Sequence, residues 1–165
     1  MTSEPLAPVR LGLVIGLVVA VLLAVVCGWL GYHVGEARQA DHTRALLIRA
    51  AEQGAVNLTT IDYTQAEADV ERILESATGE FRDDFRRRSA PFIDVVKKAR
   101  SKSVGTVTAA ALESSDGQRA KVLVAVTVTT ASAAAADPAP RYWRMRLTVE
   151  RDQDGAKVSN VDFVP

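Results

Sequence analysis

Residues 118–130 read QRAKVLVAVTVTT. Val122, Val124, Val126 and Val128 fall on one side of an extended chain, and Lys121, Ala125, Thr127 and Thr129 on the other. Successive side chains of a strand point to opposite faces, so this stretch predicts a strand with one buried face. Asp116-Gly117 just before it is a hairpin turn signal, because glycine accepts a positive φ. Residues 103–113, small and containing Val and Thr, form the strand before that turn. Ala131 to Pro140, ASAAAADPAP, is a compositionally biased connection. Arg141 to Arg151 is a third strand, with Trp143, Met145, Leu147 and Val149 facing one way and Arg144, Arg146 and Thr148 the other. Asp154-Gly155 marks a second turn, and Ala156 to Val164 is the last strand. Short turns join strands one to two and three to four, so a four-stranded antiparallel sheet is expected.

Everything before this sheet has the helical period. In Glu36 to Leu58, Leu47, Ala50, Gly54 and Leu58 recur at three- and four-residue steps, with Ile61 continuing the row. Asn57 to Tyr63, NLTTIDY, breaks the pattern. Thr64-Gln-Ala-Glu67 then has the form of a capping box, in which the Thr hydroxyl meets an orphan amide and Glu67 reaches back. A helix is expected from there to about Ala77, with Ala66, Val70, Ile73, Leu74 and Ala77 on its apolar face and Thr78-Gly79 as its stop. Phe81 and Phe85 share one side of residues 79–88. Ser89 and Pro91 suit the start of a further helix, with Phe92, Val95, Val96 and Ala99 as its buried stripe. Three or four helices followed by strands argue an α+β domain with the helices packed on one face.

Leu11 to Leu30 reads LGLVIGLVVAVLLAVVCGWL, without a charged residue. Twenty helical residues rise about 30 Å, roughly the thickness of a bilayer's hydrocarbon core. The run is longer than a signal-peptide core, and Val25 and Val26 before Cys27 do not make a cleavage site of small residues. Residues 1–10 are read as a short tail, 11–34 as a transmembrane helix, and 35–165 as one domain. Within that domain 35–58 is a stalk and first helix, and 59–165 the remainder. Trp29 and Tyr32 sit where the outer interface falls. Gly12 with Gly16, and Gly31 with Gly35, have the small-residue spacing of associating membrane helices, which allows a homo-oligomer. Lys and Arg counts on the two flanks do not by themselves set the orientation.

Composition removes several function classes. There are 20 Lys plus Arg and 20 Asp plus Glu, so the chain lacks the basic excess of a nucleic-acid binder. The one cysteine lies inside the apolar run, and His33 and His42 are the only histidines, so no zinc site of the usual ligand types is expected. No G-x-S-x-G, G-x-G-x-x-G or P-loop occurs, so neither a nucleophile elbow nor a nucleotide cofactor is expected. Glu67, Asp69, Glu71, Asp83 and Asp84 read as solvated helix charge rather than an acid–base pair held across a cleft. Asn57-Leu58-Thr59 matches a glycosylation sequon but is read as a helix junction.

Two clusters are candidates for contact. Arg86, Arg87 and Arg88, with Arg82 before them and Lys97, Lys98, Arg100 and Lys102 after, make either a soluble face or a site for anionic lipid or an acidic partner. Trp143, Arg144 and Arg146 alternate a large apolar face with a cationic one, with Trp143 and Met145 expected in the core. A curved sheet can also line a ligand cavity.

NLTTIDYTQAEADVERILESATGEF, PFIDVVKKARSKSVGTV, VLVAVTV, YWRMRLTVE and KVSNVDFVP, in that order, resemble the actinobacterial Mce-associated membrane proteins. The resemblance covers Asn57 to Pro165 and the single amino-terminal span. It implies a VirB8-like, NTF2-like or cystatin-like fold, with helices against a curved antiparallel sheet. It also implies residues 1–10 as a cytoplasmic tail, a domain on the outer side of the cytoplasmic membrane, and a non-enzymatic accessory role. The partners implied are subunits of an Mce-type complex that moves lipids or sterols. The alternative is a lipid-binding module that carries cargo in the sheet's concave pocket. No catalytic, cofactor or metal residue is carried over.

Overall fold

The computed structural model describes residues 22, 29, 41–133, 139–153 and 155–164. The chain divides into two compact units, Met1–Asp41 and His42–Pro165. In the first, Leu22, Trp29 and Asp41 are described, and all three are helical and exposed. The expected tail and span, with Gly12, Gly16, Gly31 and Gly35, otherwise lie outside the described residues. Among the described residues no helix is long and apolar enough to cross a membrane.

The second unit opens with α1, residues 42–59. Then come β1 (Ile61–Asp62), α2 (Ala66–Glu75), α3 (Gly79–Ala99), β2 (Lys102–Ser115), β3 (Arg119–Ala131), β4 (Arg141–Asp152) and β5 (Gly155–Val164). The sheet is antiparallel throughout, in the order β1-β2-β3-β4-β5. It therefore has five strands rather than the expected four. The extra one lies within NLTTIDY, where Ile61 pairs with Ser103 and Asp62 with Lys102. Two residues are too few to show a period, so that stretch reads only as a break.

The alternation in 118–130 does what it predicts. Val122, Val124, Val126 and Val128 are buried together with Met145, Leu147, Val149 and Val158 from β4 and β5, beneath Leu47, Ala51 and Ala55 of α1. Full burial of one such aliphatic side chain is worth roughly 1.5–3 kcal/mol, so this row contributes several kcal/mol to the domain. A second cluster joins Ile61, Ala66, Ile73 and Val96, flanked by Leu58, Phe85 and Phe92.

Two expected helix boundaries are corrected. Residues 79–99 form one helix of 21 residues, with Pro91 inside it, rather than two. Ser89 does not cap a new helix, because its Oγ donates to the carbonyl of Arg86, one turn back, at 2.8 Å. An interior proline costs about 3 kcal/mol. Here Phe85, Phe92, Ile93 and Val96, on both sides of it, pack against one cluster and hold the helix continuous. The capping box at Thr64 does not form either, and Gln65 occupies the cap position. Both the N–H and the hydroxyl of Thr64 donate to Oδ1 of Asp62, at 2.9 and 2.7 Å. An ionised carboxylate is the stronger acceptor, and the hydroxyl turns toward it. Glu67 pairs with Lys97 of α3 instead.

The corner between α1, β1 and α2 is tied by polar groups. Asp69 is 1% exposed, which corrects its reading as solvated charge. Its carboxylate accepts the N–H of Asp62 at 2.7 Å and Nη2 of Arg72 at 2.7 Å. Asn57 is also buried: it accepts from Nε2 of Gln53 and donates Nδ2 to Oγ of Ser76. Its amide is thus enclosed in the last turn of α1. Asp62 forms an ion pair with Lys102 at 2.8 Å. That bond first, and those from Thr64 after it, pull the Asp62 carboxyl from 3.8 down to about 2.

Helix α1 lies close on the sheet at two glycines. A Cβ added at Gly54 would sit 2.5 Å from Cγ2 of Val158. One added at Gly105 would sit 1.8 Å from Oγ1 and 2.6 Å from Cβ of Thr59. The Thr59 hydroxyl is held by the carbonyl of Ala55 at 2.7 Å, and its Cβ moves only with the backbone. Gly105→Ala is therefore expected to destabilise the chain by roughly 1–3 kcal/mol, as overpacking does. The urea midpoint of the full chain in detergent measures this, and an unchanged midpoint would show that α1 can lift without cost. Asp62→Asn tests the corner by pH. A carboxyl whose pKa is depressed on folding stabilises above its unfolded value and loses that contribution as the pH falls through its folded value. The native chain should exceed Asp62→Asn in stability near neutral pH, and the gap should close between pH 3.8 and about 2. A gap that stays constant across that window would mean that Asp62 acts through packing alone.

Candidate functional site

The residues expected to make contacts are distributed over three surfaces. Arg86, Arg87 and Arg88 lie on the solvent face of α3. Arg87 and Arg88 both reach Asp84, the latter at 3.5 Å, whereas Arg86 has no ion-pair partner among the described residues. Lys97 is engaged with Glu67 and Lys102 with Asp62, which leaves a narrower basic strip than the sequence suggests.

Trp143 is set apart from the arginines that flank it. Strand alternation puts it on the helix-covered face, opposite Val126, together with Met145 and Leu147. Met145 is buried, but Trp143 is 36% exposed, so its expected place in the core is corrected. Cover at this end of the sheet is uneven: Val126 and Val128 of β3 are buried, whereas Trp143 beside them on β4 is left partly open. Trp143 instead packs edge-on against Phe163 of β5, with ring centroids 5.8 Å apart and planes at 83°. Phe163 is itself 68% exposed.

Arg144 and Arg146 lie on the opposite, outer face. Arg146 forks onto Glu113, Nε to Oε2 at 2.7 Å and Nη2 to Oε1 at 2.9 Å, spanning β3 to join β2 and β4. This bond holds the Glu113 carboxyl below its usual range and raises Arg146. Arg144 has no ion pair among the described residues. It borders a shallow hollow of about 260 Å³ floored by Ala109, Ala111, Leu123 and Ala125, with Val164 at its edge. The register sets these residues side by side: Ala109 faces Ala125, Ala111 faces Leu123, and Ala125 faces Arg144. The bulge after Val107 makes this possible, since it turns Ala109 and Ala111 outward on a strand whose Gly105 and Val107 face inward. No period in residues 103–113 announces that change.

The carboxyl groups are organised by ion pairs and turns. Among the described residues, every carboxyl with a resolved shift is lowered: Asp62, Glu67, Glu113, Asp116 and Asp152. Each is held ionised by an ion pair or a turn, whereas a general acid needs its pKa raised toward the working pH. No three His, Cys, Asp or Glu side chains converge as a metal site among the described residues. A polar crevice of about 360 Å³ lined by Gln53, Asn57, Asp62, Asp69, Arg72 and Lys102 has its charges paired internally.

Residues 9–165 match the family described as "Uncharacterized protein Rv1363c/MT1408-like", and the chain belongs to that family. It is 37% identical over 163 residues to the protein Rv1363c of Mycobacterium tuberculosis (strain ATCC 25618 / H37Rv). That alignment takes in 95% of this chain, and the chain spans 62% of the length of that relative. Among solved structures, the periplasmic domain of DotI is similar with a TM-score of 0.60 at 18% identity, covering 72% of this chain and 92% of that one. The VirB8 protein of Agrobacterium tumefaciens is similar with a TM-score of 0.57 at 9% identity, covering 74% of this chain and 92% of that one. These likenesses establish a VirB8-like fold.

Proposed function

We propose that this member of the Rv1363c/MT1408-like family is a membrane-anchored, non-enzymatic accessory subunit. Residues 11–34 hold it in the cytoplasmic membrane, with the domain from residue 42 onward on the outer side. There the domain docks on an Mce-type complex that transports lipid or sterol. The observation that carries this reading is the outer face of the sheet. Helices bury one face, while the other stays open across β2, β3 and β4 and presents an apolar hollow beside Arg144, which has no ion pair among the described residues. Such a face fits an apolar side chain flanked by an acidic group. The anchor is supported by the uncharged run from Leu11 to Leu30. The outer location is supported by a fold shared with the periplasmic domain of DotI. The Mce-type partner is supported by the resemblance of Asn57 to Pro165.

Carriage of cargo inside the domain has less support. The space between α1 and the sheet is filled by Leu47, Ala51, Ala55 and the buried valines. The outer hollow, at about 260 Å³, is smaller than ordinary small-molecule pockets of about 300–1,000 Å³.

Affinity purification of the full chain from gently solubilised membranes tests the proposal. It should recover Mce transport subunits, and Ala111→Arg, which fills the hollow from an exposed position, should lose them while the chain stays folded. Alkaline washing should leave the chain in the membrane pellet. Recovery of no transport subunit, or release of the intact chain by alkali, would overturn the reading.

A further inference from the structure

A sheet of five strands has two edges, and here they are finished differently. On one side β2 is covered by β1 at Lys102 and Ser103, and the N–H of Gly105 donates to Oγ1 of Thr60 at 3.1 Å. Register breaks between Val107 and Ala109 and between Leu112 and Ser114 interrupt the rest of that edge. Bulges of this kind are a common way to keep an edge from pairing with another chain.

The other edge is β5. At Val158 it is already occupied: its N–H donates to the carbonyl of Ser76 at 2.9 Å, and its carbonyl accepts the N–H of Thr78 at 2.8 Å. Residues 76–78 thus act as a short parallel strand. At Gly79, with φ of +58°, the chain turns off into α3 and the pairing stops. From Asn160 to Val164, β5 runs in unbroken register with Thr148 to Arg144 on its inner side. On its outer side this stretch makes no backbone hydrogen bond to any described residue. Every second N–H and C=O there is therefore open to a partner.

Beside this open edge, α3 and β5 bound a cleft of about 480 Å³, lined by Phe81, Phe85 and Val161 and, at its mouth, by Glu80, Asp84 and Arg88. The exposed Phe163–Trp143 pair belongs to the same strand end. Asp84 is neutralised by Arg87 and Arg88, whereas Glu80 has no ion-pair partner among the described residues. Asp162 lies on the edge itself, opposite Arg146 in the register, and its carboxylate accepts Nδ2 of Asn160 at 2.9 Å. A second copy of β5 is a poor occupant, because two-fold pairing centred on this stretch sets Asp162 against Asp162, and like charges directly opposite repel.

We propose that the free edge of β5 from Asn160 to Val164, with the α3–β5 cleft beside it, is a strand-addition site for an extended segment of a partner protein. That segment is apolar at alternate positions and places a basic residue toward Glu80. It continues the pairing that residues 76–78 begin. Main-chain hydrogen bonds supply the affinity, and the cleft selects the side chains. The site does not depend on the outer sheet face or on the identity of the transport complex.

The probe is a short capped peptide alternating valine and threonine with one arginine, added to the full chain in detergent. A second peptide, identical but N-methylated at alternate backbone positions, keeps the side chains and removes the pairing. Amide hydrogen exchange over residues 160–164 and Trp143 emission in a Trp29→Phe background are the readouts. The first peptide should slow exchange by about tenfold or more, the effect of one or two net backbone hydrogen bonds, and shift the emission. The methylated peptide should do neither, and Glu80→Lys, an exposed change on α3, should weaken the first peptide several-fold. Absence of protection, or equal protection by both peptides, would overturn the proposal. So would protection that rises with chain concentration without any peptide, which would assign the edge to a second copy.

Discussion

The domain depends on how closely α1 can lie on the sheet. Two glycines set that distance, Gly54 on the helix against Val158 and Gly105 on the strand against Thr59. Between them the helix offers Ala51 and Ala55 to the valines below, so small residues on the helix meet branched ones on the sheet. A longer side chain at either glycine would raise the helix and open voids over Val122 to Val128, where close packing is worth most. The same approach fixes where α1 ends. Thr59 and Thr60 reach the sheet edge, Thr60 receives the N–H of Gly105, and the chain drops directly into the two-residue strand β1. The buried carboxylate of Asp69 then accepts the first N–H of that corner's turn and draws α2 beneath it.

Much of this is legible in the residues. The alternation of β3 and β4 is period-two without error, and it separates the Met145–Leu147–Val149 face from the Arg144–Arg146 face. The Asp116-Gly117 hairpin forms, with the Asp116 carboxylate accepting the N–H groups of Gln118 and Arg119. What stays hidden is whatever depends on a neighbour distant in sequence. Pro91 reads as a helix start because local propensity disfavours it in an interior, and only the aromatic packing around it reverses that. Asp69 reads as surface charge because acids usually are. The signal that would have found it is its place between Ala66 and Ile73, three and four residues away on one helical face. Trp143 keeps the right phase, yet the phase does not say how completely that position is covered.

The candidate surfaces were only half legible for a similar reason. Counting charges shows where cations are, not which ones are already engaged. In the folded chain Lys97, Lys102, Arg119, Arg146 and Lys157 each hold a carboxylate on another element. Exposed pairs of this kind contribute about 0–1 kcal/mol each. Their larger effect is to withdraw charge from the surface. Arg86 and Arg144 stand out once that withdrawal is taken into account, and Arg144 does so next to an apolar hollow that no sequence pattern marks. The family described by residues 9–165 shares this chain's sequence, whereas the likeness to VirB8 and DotI at 9% and 18% identity is a likeness of backbone.

The order of the strands across the sheet is the order in which they leave the ribosome. Each of the ladders from β2 to β5 can close as soon as its second strand exists, with little chain entropy to overcome. The contact between Gly54 and Val158 is the opposite case, because it joins the first helix of the domain to its last strand. A growing polypeptide can lay Ala51 and Ala55 on the valines of β3 early, but it completes the contact at Gly54 only once β5 arrives. Maturation of this domain therefore ends with β5 closing beneath a helix that the earlier strands can already hold.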